Sequence, residues 1–455
     1  MESKHYDLIV IGAGSGLNVA SAAANQLNWK VAVIEDGPLG GTCLNRGCIP
    51  SKMIIHAADI AETINRSELF GIQSEITHID FEFITKRAND IVDADAENIK
   101  EGVNEHQNMD LYQAKGTFVS SKTVKVDGVE ITGDRILIAA GARPFVPPIP
   151  GIDSVDYWTS TEALRQTKQP KSLAIIGGGY IGMELGHFYG ALGTEITIIE
   201  ALDSLIFRED KDVSTMFTKL IGEKYSLHLK SNVTNISQDD SGMKTITFET
   251  EDGSSKTIET EALLVVTGTK PNTDSLNLGV TEISTSERGF IEVNEYMETS
   301  VENIFALGDI VGKAPFKHGA NYEAQIIFKN FLNNGSKIAA DYSVMPHAIF
   351  TAPQIAGVGI TEQEAQEKKL EYEIRTHQYI KTGMGKAIEA GDGFVKFIID
   401  PKNEIILGCH ILGPEASTLI HEVVIALSAG QGKISAIKNS IHVHPALSEV
   451  VQRAL

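Results

Sequence analysis

The sequence predicts an α/β fold in which two βαβ units in one chain are followed by a strand-rich α+β segment. Three observations predict it. A strand, glycine turn, helix and strand open the chain; the same order recurs from Leu173; and beyond about Met345-Pro346 the pattern turns to strands and closes on a helix near Pro445. With 455 residues the chain exceeds one hydrophobic core, so roughly two to four domains are expected.

In the first unit an apolar run from Leu8 to Ile11 enters Gly12-Ala13-Gly14-Ser15-Gly16. An Ala-rich helix over Val19 to Ala24 follows, and Val31-Ala32-Val33-Ile34 ends on Glu35. Gly12, Gly14 and Gly16 let backbone approach a pyrophosphate, which sits on the N-terminus of the next helix. Glu35, about twenty residues on, is placed to accept hydrogen bonds from an adenosine ribose. The third glycine position is Leu17, which leaves the closeness of helix–strand packing open. Alone, this turn fits a nucleotide site or a plain buried turn.

The second unit is complete. Leu173 to Ile176 leads into Gly177-Gly178-Gly179-Tyr180-Ile181-Gly182, a helix from Met183 to Leu192, and Glu195 to Ile199 ending on Glu200. Gly177, Gly179 and Gly182 match the full pattern, so both units read as Rossmann-like dinucleotide-binding domains. Glu200 repels a 2′-phosphate, and Ala201-Leu202-Asp203 offers no arginine to hold one, which favours NAD over NADP. The plainer alternative makes Glu200 a solvated strand end.

Residues 143–151, rich in proline, read as a linker rather than a helix or central strand. The apolar strand Leu263 to Thr267 ends in Gly268-Thr269-Lys270-Pro271-Asn272, the exit from the second unit.

The strongest chemical signal is the run from Gly40, Gly41 and Thr42 through Cys43 and Cys48 to Pro50 and Lys52. Two cysteines separated by four residues close a small, reducible ring. Pro50 places Cys48 near a helix N-terminus, where the dipole and a lysine stabilise a thiolate. Half a zinc site is the alternative, but no second ligand pair has the right spacing. The third cysteine, Cys409, lies in an apolar strand and reads as a buried residue. At the far end, His444 precedes Pro445, and a helix from Pro445 puts Glu449 one turn on, able to orient the imidazole of a general base.

Composition excludes other classes. The chain is 42% hydrophobic and 22% charged, with a formal charge of −21, which argues against nucleic acid and anionic membrane as partners. The polar start Met1 to Asp7 lacks the apolar stretch of a signal peptide, and no run of the length of a membrane span occurs, so a cytoplasmic protein is expected.

These residues resemble the class I pyridine nucleotide–disulfide oxidoreductases, a family including dihydrolipoyl dehydrogenase, glutathione reductase, mycothione reductase and mercuric reductase. The run at 40–52 carries the resemblance, with further matches at Ala140-Gly141, Val266-Thr267-Gly268 and Ala306-Leu307-Gly308-Asp309. The resemblance implies FAD and NAD as cofactors, Asp309 on the flavin ribityl chain, a Lys52–Glu184 pair near the flavin ring, and Tyr180 over the nicotinamide pocket. It also implies that Cys43 exchanges with substrate, that Cys48 faces the flavin, and that a homodimer brings His444 to the other subunit's site. The domains then read as 1–147 FAD-binding, 148–272 NAD-binding, 273–344 a central domain completing the FAD site, and 345–455 a dimerisation domain. Ala140 departs from the threonine common there.

Within the family, His442 to Glu449 is most like dihydrolipoyl dehydrogenase, which takes a lipoyl group, free or on a carrier protein. Gly14 to Asn18, Lys52-Met53, Lys317-His318, Ala320-Asn321 and Gly413 to Leu419 are instead similar to mycothione reductase. The segment 53–58 lacks the arginines that hold anionic disulfides, favouring an apolar disulfide. Mercuric reductase is disfavoured because 452–455 holds no extra cysteine pair. A flavin electron-transfer module or a diaphorase is the remaining alternative, opposed by the presence of both cysteines.

Overall fold

The computed structural model describes residues 4–333 and 335–455, so the first three residues of the polar N-terminal run lie outside the described part. The contact pattern divides the chain into two units. One gathers 1–51, 85–145 and 268–342; the other gathers 52–84, 146–267 and 343–455.

The first unit is built on strands β1 (Lys4–Ile11), β2 (Val31–Ile34), β3 (Met109–Tyr112), β4 (Gly116–Ser120), β5 (Thr123–Val126) and β6 (Val129–Ile138). Their order is β3-β2-β1-β6-β5-β4, with Ile304–Ala306 also pairing β6. β1 runs parallel to β2 and β6, whereas β4 and β5 add an antiparallel meander. Val10, Val33 and Leu137 are fully buried, as expected of strands covered on both faces. Helix α1 (Gly16–Gln26) packs on this sheet through Val19, Ala20, Ala23 and Ala24. A Cβ at Gly16 would meet the Ala139 side chain at 2.7 Å and Val10 at 3.0 Å. The missing third glycine is therefore supplied one residue early, and Leu17 does not hold helix and strand apart. Ala142–Pro144, at the start of the proline-rich stretch, pairs antiparallel with Thr269–Pro271 in a two-stranded ribbon. Directly after β2 in the chain come helices α2 (Gly41–Arg46) and α3 (Cys48–Asn65), of which residues from Lys52 on belong to the second unit.

In the second unit β7 (Ser172–Ile176) and β8 (Glu195–Ile199) lie between Ser226–His228 and Ala262–Val265 in a parallel sheet. Helix α4 (Tyr180–Ala191) follows β7 directly. A three-stranded antiparallel sheet, 232–260, and a five-stranded antiparallel sheet, 347–412, complete it. The latter is backed by Ala416–Ser428, so this part of the chain is α+β as expected.

One correction concerns the C-terminus. The last helix, α6 (Glu449–Arg453), begins four residues after Pro445. The intervening segment is a turn, closed by the Ala446 N–H donating to the Glu449 carboxylate at 3.3 Å. Before it, α5 (Lys317–Leu332) belongs to the first unit.

The second unit also buries a charge. Lys396 is fully enclosed on strand Phe394–Asp400, and its ammonium donates to Asp210 at 2.8 Å and to Asp212 and Glu362 at 2.6 Å each. Burial opposes the cation, but three carboxylates reverse that and raise it above the ordinary lysine range. Lys396→Met will leave those carboxylates without a counter-ion and destabilise this unit by about 3–5 kcal/mol, measured by chemical denaturation at neutral pH.

Candidate functional site

In the first unit the chain reverses at Gly12, whose φ of +105° favours glycine and whose Cβ would lie 2.3 Å from the Ala139 carbonyl oxygen. Gly41, at φ +68°, brings the cysteine segment against the turn: a Cβ there would lie 2.7 Å from Gly14 Cα. Glu35 accepts from the N–H of Ala13 at 2.8 Å and of Gly37 at 2.9 Å, which fixes a carboxylate at the end of β2. Beside it opens a cavity of about 540 Å³ lined by Gly12, Glu35, Asp36, Ala140 and Arg143, room for an adenosine-sized group. Gly141, at φ +66°, has nothing within 4 Å of its Cβ direction. The Gly308 N–H donates to Glu323 at 2.6 Å, and burial pushes the neighbouring Asp309 carboxyl above its ordinary range while Lys317 pulls it down. An open cradle, a ribose-height acid and a buried carboxyl fit an FAD.

Cys43 lies on α2, Thr42 precedes it, and Gly47 separates α2 from α3. A Cβ at Gly47 would meet the Thr42 carbonyl oxygen at 2.9 Å, so glycine is required where the two helices join. α3 starts at Cys48, so this thiol sits at the positive end of the helix dipole, which favours a thiolate. Cys48 is exposed and Cys43 half-buried, whereas Cys409 is fully buried and its thiol is pushed well up by desolvation.

Lys52 comes one helical turn after Cys48. In the second unit its ammonium donates to Glu184 at 2.7 Å and lies 4.6 Å from the Phe350 ring centroid. The other Glu184 oxygen accepts the Phe350 N–H at 3.0 Å, so both oxygens are engaged. Glu184 is on α4, four residues after Tyr180 and on the same helix face.

The second glycine turn repeats the first. Gly177 has φ +112° and its Cβ would lie 2.6 Å from the Val266 carbonyl oxygen; one at Gly182 would meet the Gly177 carbonyl oxygen at 2.5 Å. Gly179 and Gly268 face open space. Glu200 accepts from the N–H of Gly178 at 2.5 Å and of Leu202 at 2.8 Å, as Glu35 does in the first unit.

Sequence reasoning missed what holds Tyr180. Its hydroxyl donates to Glu209 at 2.5 Å, and Glu209 also pairs with His347 Nε2 at 2.9 Å. Burial pushes the Glu209 carboxyl up, but these two donors outweigh it and keep the group ionised. Burial and the Glu209 charge push the Tyr180 phenol up. No short-range pattern marks such a contact, because Glu209 and His347 are 138 residues apart.

His444 is tied to Glu449, its Nδ1 lying 3.0 and 3.1 Å from the two carboxylate oxygens, and Arg453 donates to Glu449 at 2.7 Å. The imidazole is 69% exposed while Glu449 is 6% exposed, a base presented outward on a buried support. Cys43 and His444 fall in different units.

These features define a chain with two glycine-turn dinucleotide cradles, a pair of cysteines at a helix start and an oriented histidine. Residues 6–325 match the pyridine nucleotide-disulphide oxidoreductase family, and residues 345–455 match the dimerisation domain of pyridine nucleotide-disulphide oxidoreductases. The chain belongs to this family, whose members bind FAD and NAD(P). It is 34% identical to mycothione reductase of Mycobacterium tuberculosis, over 99% of this chain and 98% of that enzyme. It is 36% identical to dihydrolipoyl dehydrogenase of Chlamydia pneumoniae, over 98% of this chain and 96% of that one. Mercuric reductase of Staphylococcus aureus is 34% identical over 93% of this chain and 77% of its own length. Among solved structures, the HOCl-induced flavoprotein disulfide reductase RclA from Escherichia coli superposes with a TM-score of 0.86 at 29% identity, covering 98% of this chain and 99% of that one.

Glu449 gives a pH test. Hydrogen bonds with His444 and Arg453 hold its carboxyl at about 2, against an ordinary 4.5. A depressed carboxyl stabilises the fold fully above the unfolded value and loses that contribution as pH falls through the folded one. The melting-temperature difference between wild type and Glu449→Gln will therefore be flat above about pH 4.5 and close toward pH 2.

Proposed function

We propose that the protein is a dihydrolipoyl dehydrogenase, oxidising dihydrolipoamide with NAD⁺ through a Cys43–Cys48 redox disulfide. The observation that carries this reading is Cys43 on α2 and Cys48 at the start of α3, with the Lys52–Glu184 pair one turn further on. His444, oriented by Glu449, takes the proton of a substrate thiol. The thiolate attacks Cys43 Sγ; the Cys43–Cys48 bond breaks and Cys48 leaves as a thiolate. The second substrate thiolate then attacks the sulfur bonded to Cys43, giving the substrate disulfide and a Cys43 thiolate. Two electrons now reside on the cysteine pair, and two protons have passed to His444 and solvent. FAD, when bound, supplies the two-electron relay from this pair to the nicotinamide.

Gly12, Gly14, Gly16, Glu35, Gly41, Thr42, Gly141, Gly308 and Asp309 would hold the FAD. Gly177, Gly179, Tyr180, Gly182, Glu200 and Gly268 would hold the nicotinamide dinucleotide. Glu200 at the end of β8 supports NAD over NADP, since it would repel a 2′-phosphate. The domain reading, with 1–147 and 273–344 forming the FAD side, 148–272 the NAD side and 345–455 the dimer contact, stands as part of this proposal. A homodimer in which His444 serves the partner's cysteines is supported by the match of 345–455 to a dimerisation domain. It is also supported by Ile441 and Val443, apolar side chains 102% and 75% exposed beside His444. A cytoplasmic enzyme fits these roles, and no helix among the described residues is long and apolar enough to cross a membrane.

A second reading is a reductase of a low-molecular-weight thiol disulfide. The mycothione reductase identity supports it. The Lys317 and Asn321 resemblance does not, because both side chains contact Ser15 in the first glycine turn.

The test is steady-state turnover of FAD-loaded protein with NADH and lipoamide, against mycothiol, glutathione and γ-glutamylcysteine disulfides. Efficient lipoamide turnover, reversible with dihydrolipoamide and NAD⁺ and abolished in Cys43→Ser, is the expected result. Strong turnover of one other disulfide with little lipoamide activity would replace this reading with the second.

A further inference from the structure

The first residue of α5 is a lysine, a position the helix dipole disfavours for a cation. Lys317 Nζ donates to Ser15 Oγ at 2.9 Å, and Ser15 is the N-cap of α1. The first turns of α1 and α5 both lack an acidic residue. Two positive helix ends and an ammonium are thus gathered around one hydroxyl. Among the described residues no carboxylate pairs with Lys317. Asp309 lies near enough to feel its charge without forming an ion pair with it.

The hydroxyl is not used to cap its own helix. It donates to Asn321 Oδ1 at 2.9 Å, and that oxygen also accepts from Asn18 Nδ2 at 3.0 Å. The backbone N–H groups of Gly14, Ser15 and Gly16 have no acceptor among the described residues. Open amides beside an ammonium that no carboxylate ion-pairs are the complement of an anion.

The second glycine turn supplies a contrast. Tyr180 occupies the place in Gly177-Gly178-Gly179-Tyr180 that Ser15 occupies in Gly12-Ala13-Gly14-Ser15, and its hydroxyl meets an anion, Glu209.

We propose that Lys317 is a ligand of the FAD diphosphate, held over the first glycine turn by Ser15 and Asn321. This rests on the reading that the first turn carries FAD. Apo-protein of wild type, Lys317→Met, Lys317→Arg and Glu35→Ala is titrated with FAD, following flavin fluorescence, and each apo-protein is melted. Lys317→Met will weaken FAD binding about ten-fold or more with the apo melting temperature unchanged, and Lys317→Arg will recover most of the affinity. Weakening in Glu35→Ala but not in Lys317→Met overturns the role of Lys317 and leaves the flavin at this turn. Weakening in neither overturns the placement of the flavin and the proposal with it. An apo-protein of Lys317→Met that melts lower, with unchanged FAD affinity, would make Lys317 a structural tie only.

Discussion

A strand that passes directly into a helix must turn its backbone sharply, and another strand's end presses on the turn from behind. At Gly12 the pressing group is the Ala139 carbonyl, and at Gly177 it is the Val266 carbonyl. Only a residue without Cβ and tolerant of positive φ satisfies both demands. Everything the two cradles do follows from this constraint. α1 and α4 start where the strands end, and Glu35 and Glu200 come to rest against the turns. The constraint operates twice in one chain, at Gly12 and at Gly177.

Those side chains give the halves different tasks. Gly41 brings the cysteine segment to Gly14, so the thiols and the first cradle share one backbone contact. On α4 the face that begins with Tyr180 continues to Glu184, which joins Lys52 of the cysteine helix to the Phe350 backbone. His444 draws its orientation from a buried carboxylate at the start of a short helix. Behind the exposed Cys48 and His444 side chains stand a helix start and a buried carboxylate.

Much of this was legible in the sequence because it is local. Glycine spacing, acids at strand ends, the cysteine spacing and the His444–Glu449 interval are short-range patterns, and the structure places the strand-end acids and the cysteines at the expected elements. Two local readings needed adjustment. Gly16 rather than residue 17 closes helix onto strand, and Glu449 reaches His444 from the first residue of a helix that starts later than Pro445. What stayed hidden is long-range. Lys317 and Ser15 are 302 residues apart, and Lys396 and Asp210 are 186 apart. No periodicity encodes such pairs; only the closed sheets bring them together.

The central claim is that Cys43 and Cys48 form the redox pair and exchange two electrons reversibly with the nicotinamide. The most direct measurement is thiol accounting by mass spectrometry: FAD-loaded protein, with and without anaerobic NADH, is denatured and alkylated, and each cysteine is scored. Reduction will add label at Cys43 and Cys48 together, with Cys409 labelled equally in both samples. Identical labelling of all three cysteines before and after NADH would contradict the account.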